Sequence, residues 1–72
     1  MTTVYTFDTT HHALWAEQVA LELAAGAQVI PAPADADAKC DLALEVLDED
    51  CGRLSQALDA NRISYRIYSP VR

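Results

Sequence analysis

Residues 30–46 read Ile-Pro-Ala-Pro-Ala-Asp-Ala-Asp-Ala-Lys-Cys-Asp-Leu-Ala-Leu-Glu-Val, and this stretch decides the fold. Its first part, through Lys39, combines two prolines with alternating Ala and Asp, a composition typical of a loop. From Leu42 to Val46 every second residue is a large apolar residue of a kind usually buried, which predicts a strand. Cys40 has the parity of Leu42, so a strand beginning at Cys40 places the thiol at the end of a sheet, on its buried face or at its rim. This thiol is the best candidate in the chain for reaction chemistry.

The rest of the chain alternates between strand and helix patterns. In chain order it predicts a strand over 2–7, a helix over 11–25, strands over 27–31 and 42–46, a helix from 48 to 61 and a strand over 63–68. Asp8, Thr9 and Thr10 are residues that begin helices, and Asp48 is expected to cap the second helix. Gly26 and Asn61 are expected to end the two helices in the left-handed conformation.

The order βαββαβ predicts an α+β fold, the ferredoxin-like sandwich. In it an antiparallel four-stranded sheet, in the order 4-1-3-2, carries both helices on one face. In the first helix Ala13, Ala16 and Ala20 form the stripe expected to face the sheet. Trp15 and Val19 are expected on the opposite face, as a partly covered surface pair or as an anchor for a partner.

Length and charge limit the classes of function. With 72 residues the chain is expected to form one domain over 1–72. Its small core would gain from a second copy or a partner surface, so a homodimer is left open. The net charge of −6, with five Lys and Arg, argues against nucleic-acid binding. No apolar run approaches a membrane span and no leader pattern is visible, so we expect a cytoplasmic protein, off the membrane, whose two cysteines are reduced.

The predicted topology surrounds Cys40 with polar groups. The third strand begins at the edge where the first strand ends and the first helix starts, so the thiol is expected beside that helix N-terminus. A thiolate is favoured there by unpaired N–H groups and by the helix dipole. If Cys40 is a catalytic thiol, the residues expected to bind a substrate around it are Thr9, Thr10, His11, His12, Lys39 and Asp41.

Other kinds of site find little support. His and Cys suit zinc, but adjacent helix residues point about 100° apart, so His11 and His12 rarely bind one ion, and we predict no metal site and no cofactor. Paired carboxylates, a Ser/His/Asp set and a phosphate-binding glycine loop are not visible. Cys51 falls on the inner stripe of the second helix, where core packing is favoured over a role as a resolving thiol.

At this point the chain resembles the small bacterial selenium/sulfur carrier-like family. The resemblance rests on Thr6-Phe7, Thr10-His11-His12-Ala13-Leu14, Ala16-Glu17, Ile30-Pro31-x-Pro33 and Cys40-x-Leu42-Ala43-Leu44. It implies a bacterial cytoplasmic protein linked to selenium metabolism or sulfur trafficking, in which Cys40 carries the sulfur or selenium atom. It also implies partner proteins that donate and accept the atom. The family usually has Ser before this cysteine and Gly after it, where this chain has Asp37, Ala38 and Lys39 before and Asp41 after.

The functional hypothesis is therefore a sulfur or selenium carrier that holds a persulfide or perselenide on Cys40 and relays it between enzymes. On this hypothesis the protein acts as a thiol-based carrier and not as an enzyme that turns over a substrate. The alternative is a non-catalytic ferredoxin-like module that binds a ligand or a protein and in which Cys40 is structural. A third hypothesis is a thiol redox sensor that oxidises reversibly without transferring sulfur.

Overall fold

The computed structural model describes residues 1–33 and 41–68, which form four strands and two α-helices. In chain order these are β1 (Thr2–Thr6), α1 (Thr10–Glu22), β2 (Ala27–Pro31), β3 (Leu42–Leu47), α2 (Cys51–Ala60) and β4 (Arg66–Tyr68). A single 3₁₀ turn, Asp48–Asp50, joins β3 to α2. The predicted α+β class and the order βαββαβ are confirmed.

The sheet has the order β2-β3-β1-β4, with every neighbouring pair antiparallel. Counted from the β4 edge this is 4-1-3-2, as the sequence predicted. The central pair places Thr6 of β1 opposite Ala43 of β3, and Ala43 in turn lies opposite Ile30 of β2. The end of β1, the beginning of β3 and the end of β2 therefore meet at one edge, which we call the upper edge of the sheet.

The core lies between the sheet and the two helices, which contact each other over the same face. Tyr5 and Leu44 from the sheet and Leu54 and Leu58 from α2 are fully buried. Each leucine buried to this extent stabilises the fold by about 1.5–3 kcal/mol. α1 contributes mainly alanines, such as the fully buried Ala16, because small side chains let a helix lie close to the sheet.

The prediction for the outer face of α1 is only half right. Trp15 is 39% exposed, as expected, but Val19 is 6% exposed and belongs to the core. The buried stripe is centred on Ala16, about 60° around the helix from Val19. Leu14 and Leu21 lie on the far side from that stripe and are 50% and 64% exposed. α1 therefore has apolar residues on both faces.

Both predicted left-handed helix ends are wrong by one or two residues. Ala24 (φ 54°) and Arg62 (φ 59°) take the left-handed conformation, and no glycine has a positive φ among the described residues. At the end of α1 the N–H of Ala25 donates to the carbonyl of Ala20 at 3.0 Å, which is the Schellman pattern. Gly26 has a different role, since a Cβ there would lie 2.9 Å from Cγ of Leu47.

The second half of the chain departs from prediction at two points. Asp48 does not cap α2, because the 3₁₀ turn comes first and the Asp48 carboxylate accepts a hydrogen bond from Oγ1 of Thr3 at 2.6 Å. The last strand is shorter than expected, since the N–H of Ile63 still donates to Leu58 at the end of α2. Ile67 lies on β4 but is 50% exposed. No helix in 1–33 or 41–68 has the length and apolar character needed to cross a membrane.

Candidate functional site

The candidate site lies at the upper edge, where β1 gives way to α1 and β3 begins. Asp41 comes just before β3, and its carbonyl accepts a hydrogen bond from the N–H of Ala32 at 2.8 Å. This bond fixes the start of β3 to the end of β2. Asp41 itself is exposed. Cys40 and Lys39 directly precede Asp41 in the sequence but lie outside the described residues, so their predicted roles stay predictions.

The N-terminus of α1 at this edge is capped as the sequence predicted. Thr9 is extended (φ −139°, ψ 154°), and its Oγ1 accepts a hydrogen bond from the N–H of His12 at 3.1 Å. The Thr9 carbonyl accepts the N–H of Ala13 at 3.2 Å. The N–H groups of Thr10 and His11 precede these two, at the end where a helix leaves its donors without intrahelical acceptors. The first turn carries no acidic side chain, so nothing within α1 cancels the positive potential at this end.

Two histidines and a tryptophan form a ring cluster on the first turns of α1. The ring centroids of His11 and His12 each lie close to that of Trp15, at 6.1 and 6.3 Å. His11 is exposed and lines a shallow groove of about 410 Å³ with Leu14 and Trp15. His12 is partly buried, and its Nδ1 is a buried atom with no hydrogen-bond partner among the described residues. A buried polar atom without a partner costs free energy, so the Nδ1 of His12 is the atom of this cluster whose placement the described residues do not explain.

Sequence reasoning missed one charged group at this edge. Nη2 of Arg66 lies 3.9 Å from Oδ1 of Asp8, and both side chains are about half exposed. Arg66 reaches this edge because β4 pairs with β1 and places Arg66 opposite Thr6. The strand order 4-1-3-2 implies that neighbour, so the pairing could have been found from the sequence. An exposed ion pair at this distance adds little stability, but it keeps a guanidinium beside the start of α1.

A second shallow groove lies at the end of α2. Arg62 lines it with Asp59 and Tyr65. The positive φ of Arg62 turns the chain from α2 toward β4. The groove lies on the connection that leads to the edge strand.

Cys51 lies at the opposite end of the sheet. It is the first residue of α2, and its Sγ donates to the carbonyl of Leu47 at 3.5 Å. The side chain packs against the core, in keeping with the structural role favoured from the sequence. The six residues of β3 span about 20 Å, so Cys51 is far beyond disulfide distance from Asp41, the neighbour of Cys40.

Tyr5 completes the buried polar contacts near Cys51. Its hydroxyl lies 2.7 Å from Oγ of Ser55 and donates to the carbonyl of Cys51 at 3.1 Å. Burial of the phenol, which penalises its charged form, raises the pKa of Tyr5 to about 12. The neutral phenol of Tyr5 therefore serves as a structural hydrogen-bonding group between β1 and α2. Within 1–33 and 41–68 no three His, Cys, Asp or Glu side chains are grouped so that they could hold a metal ion.

Comparison with known proteins gives one match. No curated protein and no solved structure matches the chain. The profile of the family described as "Putative Se/S carrier protein-like" matches residues 2–69. That span takes in every strand and helix described above, together with Cys40 and the residues predicted to surround it. The chain therefore belongs to this selenium/sulfur carrier-like family.

Proposed function

We propose that the protein is a sulfur or selenium carrier in which Cys40 holds the transferred atom. One observation carries the proposal: β3, which begins two residues after Cys40 in the sequence, starts at the edge where α1 presents its N-terminus. Family membership supports it, because the family's description names the same class of cargo. The proposal extends to a relay between a donor protein and an acceptor protein in the cytoplasm.

The transfer needs no external oxidant or reductant. The Cys40 thiolate attacks the outer sulfur of a persulfide on the donor, a new S–S bond forms, and the donor's own S–S bond breaks to release its thiolate. Cys40 then carries the persulfide. In the second step a thiolate of the acceptor attacks the outer sulfur, and the Cys40 thiolate leaves. A perselenide moves by the same exchange.

The described residues supply what an anionic sulfur requires. The N–H groups of Thr10 and His11, which have no intrahelical acceptor, and the dipole of α1 favour a negative charge at this end of the helix. Thr9 holds that end in place through its bond to His12. Within 1–33 and 41–68 the Nδ1 of His12 has no hydrogen-bond partner, and we assign it a hydrogen bond to the incoming or leaving group. Lys39 and Asp41, on either side of Cys40 in the sequence, complete the proposed site with opposite charges.

Intact-mass analysis of loading tests this proposal. The protein is incubated with a cysteine desulfurase and cysteine, or with selenocysteine in place of cysteine, and is weighed before and after reduction. We expect a reductant-sensitive gain of one sulfur or selenium atom in the native chain and in Cys51→Ser, and no gain in Cys40→Ser. Cys51→Ser is the matched control, since it removes the other thiol.

The alternatives give different results in the same experiment. A binding module with a structural Cys40 acquires no adduct from any donor. A redox sensor acquires oxygen or an intermolecular disulfide when treated with peroxide, and no sulfur from the desulfurase. Loading on Cys51, or on neither cysteine with sulfur and selenium donors alike, overturns the proposal.

A further inference from the structure

The outer face of α1 carries a second seam that the core does not use, in which the apolar Leu14 and Leu21 alternate with polar residues. His11, Leu14, Gln18 and Leu21 are all exposed, and they follow one another at intervals of three, four and three residues. This is the a/d spacing of helices that pack side by side. The opposite stripe of α1 already faces the sheet. A helix with a second seam at this spacing is built to pack against another helix.

We propose that the partner is a second copy of this chain, docked through the same face with the two α1 helices antiparallel. The helix is self-complementary in that orientation. The groove formed by His11, Leu14 and Trp15 is the hole into which a side chain of a facing helix inserts. When Leu21 of the second copy enters this hole, the symmetry axis falls beside Gln18, and Leu21 of the first copy enters the second copy's hole in turn.

The charges of α1 favour the same arrangement. Its first turn carries two histidines and no acidic residue, and its last turn carries Glu22 and no basic residue. The dipole of α1 favours an acidic side chain at its N-terminus, and the first turn supplies none, while Glu22 lies at the opposite end. In the antiparallel pair the Glu22 carboxylate of the second copy lies within about one turn of His11. The N-terminus of each α1 then meets an acidic side chain that its own helix lacks.

Gln18 sets the register. In the packing described, the two copies of Gln18 face each other at the symmetry axis, where their amides can exchange hydrogen bonds. A single polar residue at such a position fixes the register and orientation of paired helices. A slip by one turn would bury the Gln18 amide against Leu14 or Leu21 and leave it without a partner.

The size of the surface sets the strength of the contact. α1 has 13 residues and so presents a strip about 20 Å long and 10 Å wide. That footprint of about 200 Å² is well below the roughly 800 Å² per partner of a standard complex. We therefore expect a reversible dimer that forms as the concentration rises. Trp15, Leu14 and Leu21, the exposed apolar side chains of the strip, would account for most of its affinity.

Sedimentation equilibrium over a concentration series tests the dimer. Leu21→Glu puts a charge into the hole formed by the second copy's first turns and should raise the dissociation constant at least about tenfold. Ile67→Glu is the matched control: it makes the same change at another exposed apolar residue, on β4, and should leave the constant unchanged. Both sites are exposed, so circular dichroism should show both variants folded. A chain that stays monomeric up to millimolar concentration, or a dimer equally resistant to both variants, overturns the proposal.

Cross-linking tests the orientation. In a chain with Cys40→Ser and Cys51→Ser, Gln18→Cys places one thiol per copy at the axis, where the two should form a disulfide under mild oxidation. Glu22→Cys places the two thiols about 13 Å apart along the helices, and should not cross-link. Equal cross-linking at both positions would mean parallel or random pairing and would refute the antiparallel contact. Neither result depends on the function of Cys40.

Discussion

Replacement of Tyr5 by Phe should change the dependence of stability on alkaline pH. At neutral pH Tyr5→Phe removes two hydrogen bonds, to Oγ of Ser55 at 2.7 Å and to the carbonyl of Cys51 at 3.1 Å. The groups left without a partner cost about 1–3 kcal/mol in the free energy of unfolding. The ring itself is fully buried, so Phe fills the same space and the fold is kept.

Above pH 10 the comparison changes. The pKa of Tyr5 is raised from 10.0 to about 12 in the folded protein, so between these values the unfolded chain releases the phenolic proton while the folded chain keeps it. The contribution of the Tyr5 phenol to stability is therefore complete below pH 10 and is lost as the pH rises toward 12. A difference of two pKa units corresponds to about 3 kcal/mol in full, of which about half is lost by pH 11. The variant lacks the phenol, so its stability does not include this loss. Over the same range its free energy of unfolding therefore rises relative to that of the native chain.

Urea unfolding of both proteins at several pH values between 8 and about 11.5 measures this difference. We expect the native chain to be the more stable at pH 8, and the gap between the two to close or reverse by the upper end. If the free energies of unfolding of the two proteins stay a constant distance apart across this pH range, the phenol of Tyr5 is not held neutral in the core.

Three further predictions concern the turns that hold the sheet and helices together. Ala24→Gly should raise the free energy of unfolding by about 0.5–1 kcal/mol, because glycine adopts a positive φ without strain. Ala60→Gly, in the last turn of α2, is the control and should lower it by a similar amount, as read from urea midpoints. Gly26→Ala should lower the free energy of unfolding by about 1–2 kcal/mol, since the new methyl meets Leu47. A variant as stable as the native chain would contradict the close approach of Leu47 to Gly26. Asp50→Asn should weaken the loss of stability below about pH 4 in an acid titration, because the hydrogen bonds from Arg53 and the Gly26 N–H lower the pKa of Asp50; equal acid sensitivity in both proteins would contradict this.

The sequence was sufficient for the architecture because its patterns are regular. The alternation from Leu42 to Val46 and the β-branched run from Thr2 each predicted a strand that the structure contains. Thr9 was among the residues expected to begin α1, and its hydroxyl caps that helix. The strand order followed from topology, and with it the meeting of β1, β3 and α1 at the upper edge.

The errors fall where a tertiary contact overrides a local preference. Gly26 has the residue type that ends helices, yet its small size serves the contact with Leu47, and Ala24 takes the strained conformation instead. Val19 was misplaced because the exact direction of the buried stripe depends on how α1 lies on the sheet. Asp48 has a good capping side chain, but Thr3 on the neighbouring strand donates to it instead. None of these partners is close in sequence.

The candidate site was predictable only in part. The capping of α1 and the position of β3 could be inferred, and both are confirmed around Asp41 and Thr9. The burial of the His12 ring depends on side-chain packing, which residue spacing does not specify. The nearness of Arg66 to Asp8 follows from the strand order and could have been inferred. The role of Cys40 rests on chemistry and on the family, and only an experiment on the thiol can test it.

The most direct test of the carrier proposal is discharge of the loaded protein in a single turnover. Native chain carrying one extra sulfur or selenium atom is separated from its donor and mixed with an acceptor thiol, and peptides containing Cys40 and Cys51 are weighed over time. The account predicts that the extra atom starts on the Cys40 peptide, leaves it as the acceptor gains it, and leaves the Cys40 thiol free for a second loading. An atom found on the Cys51 peptide, or one that stays on Cys40 in the presence of the acceptor, would contradict a carrier.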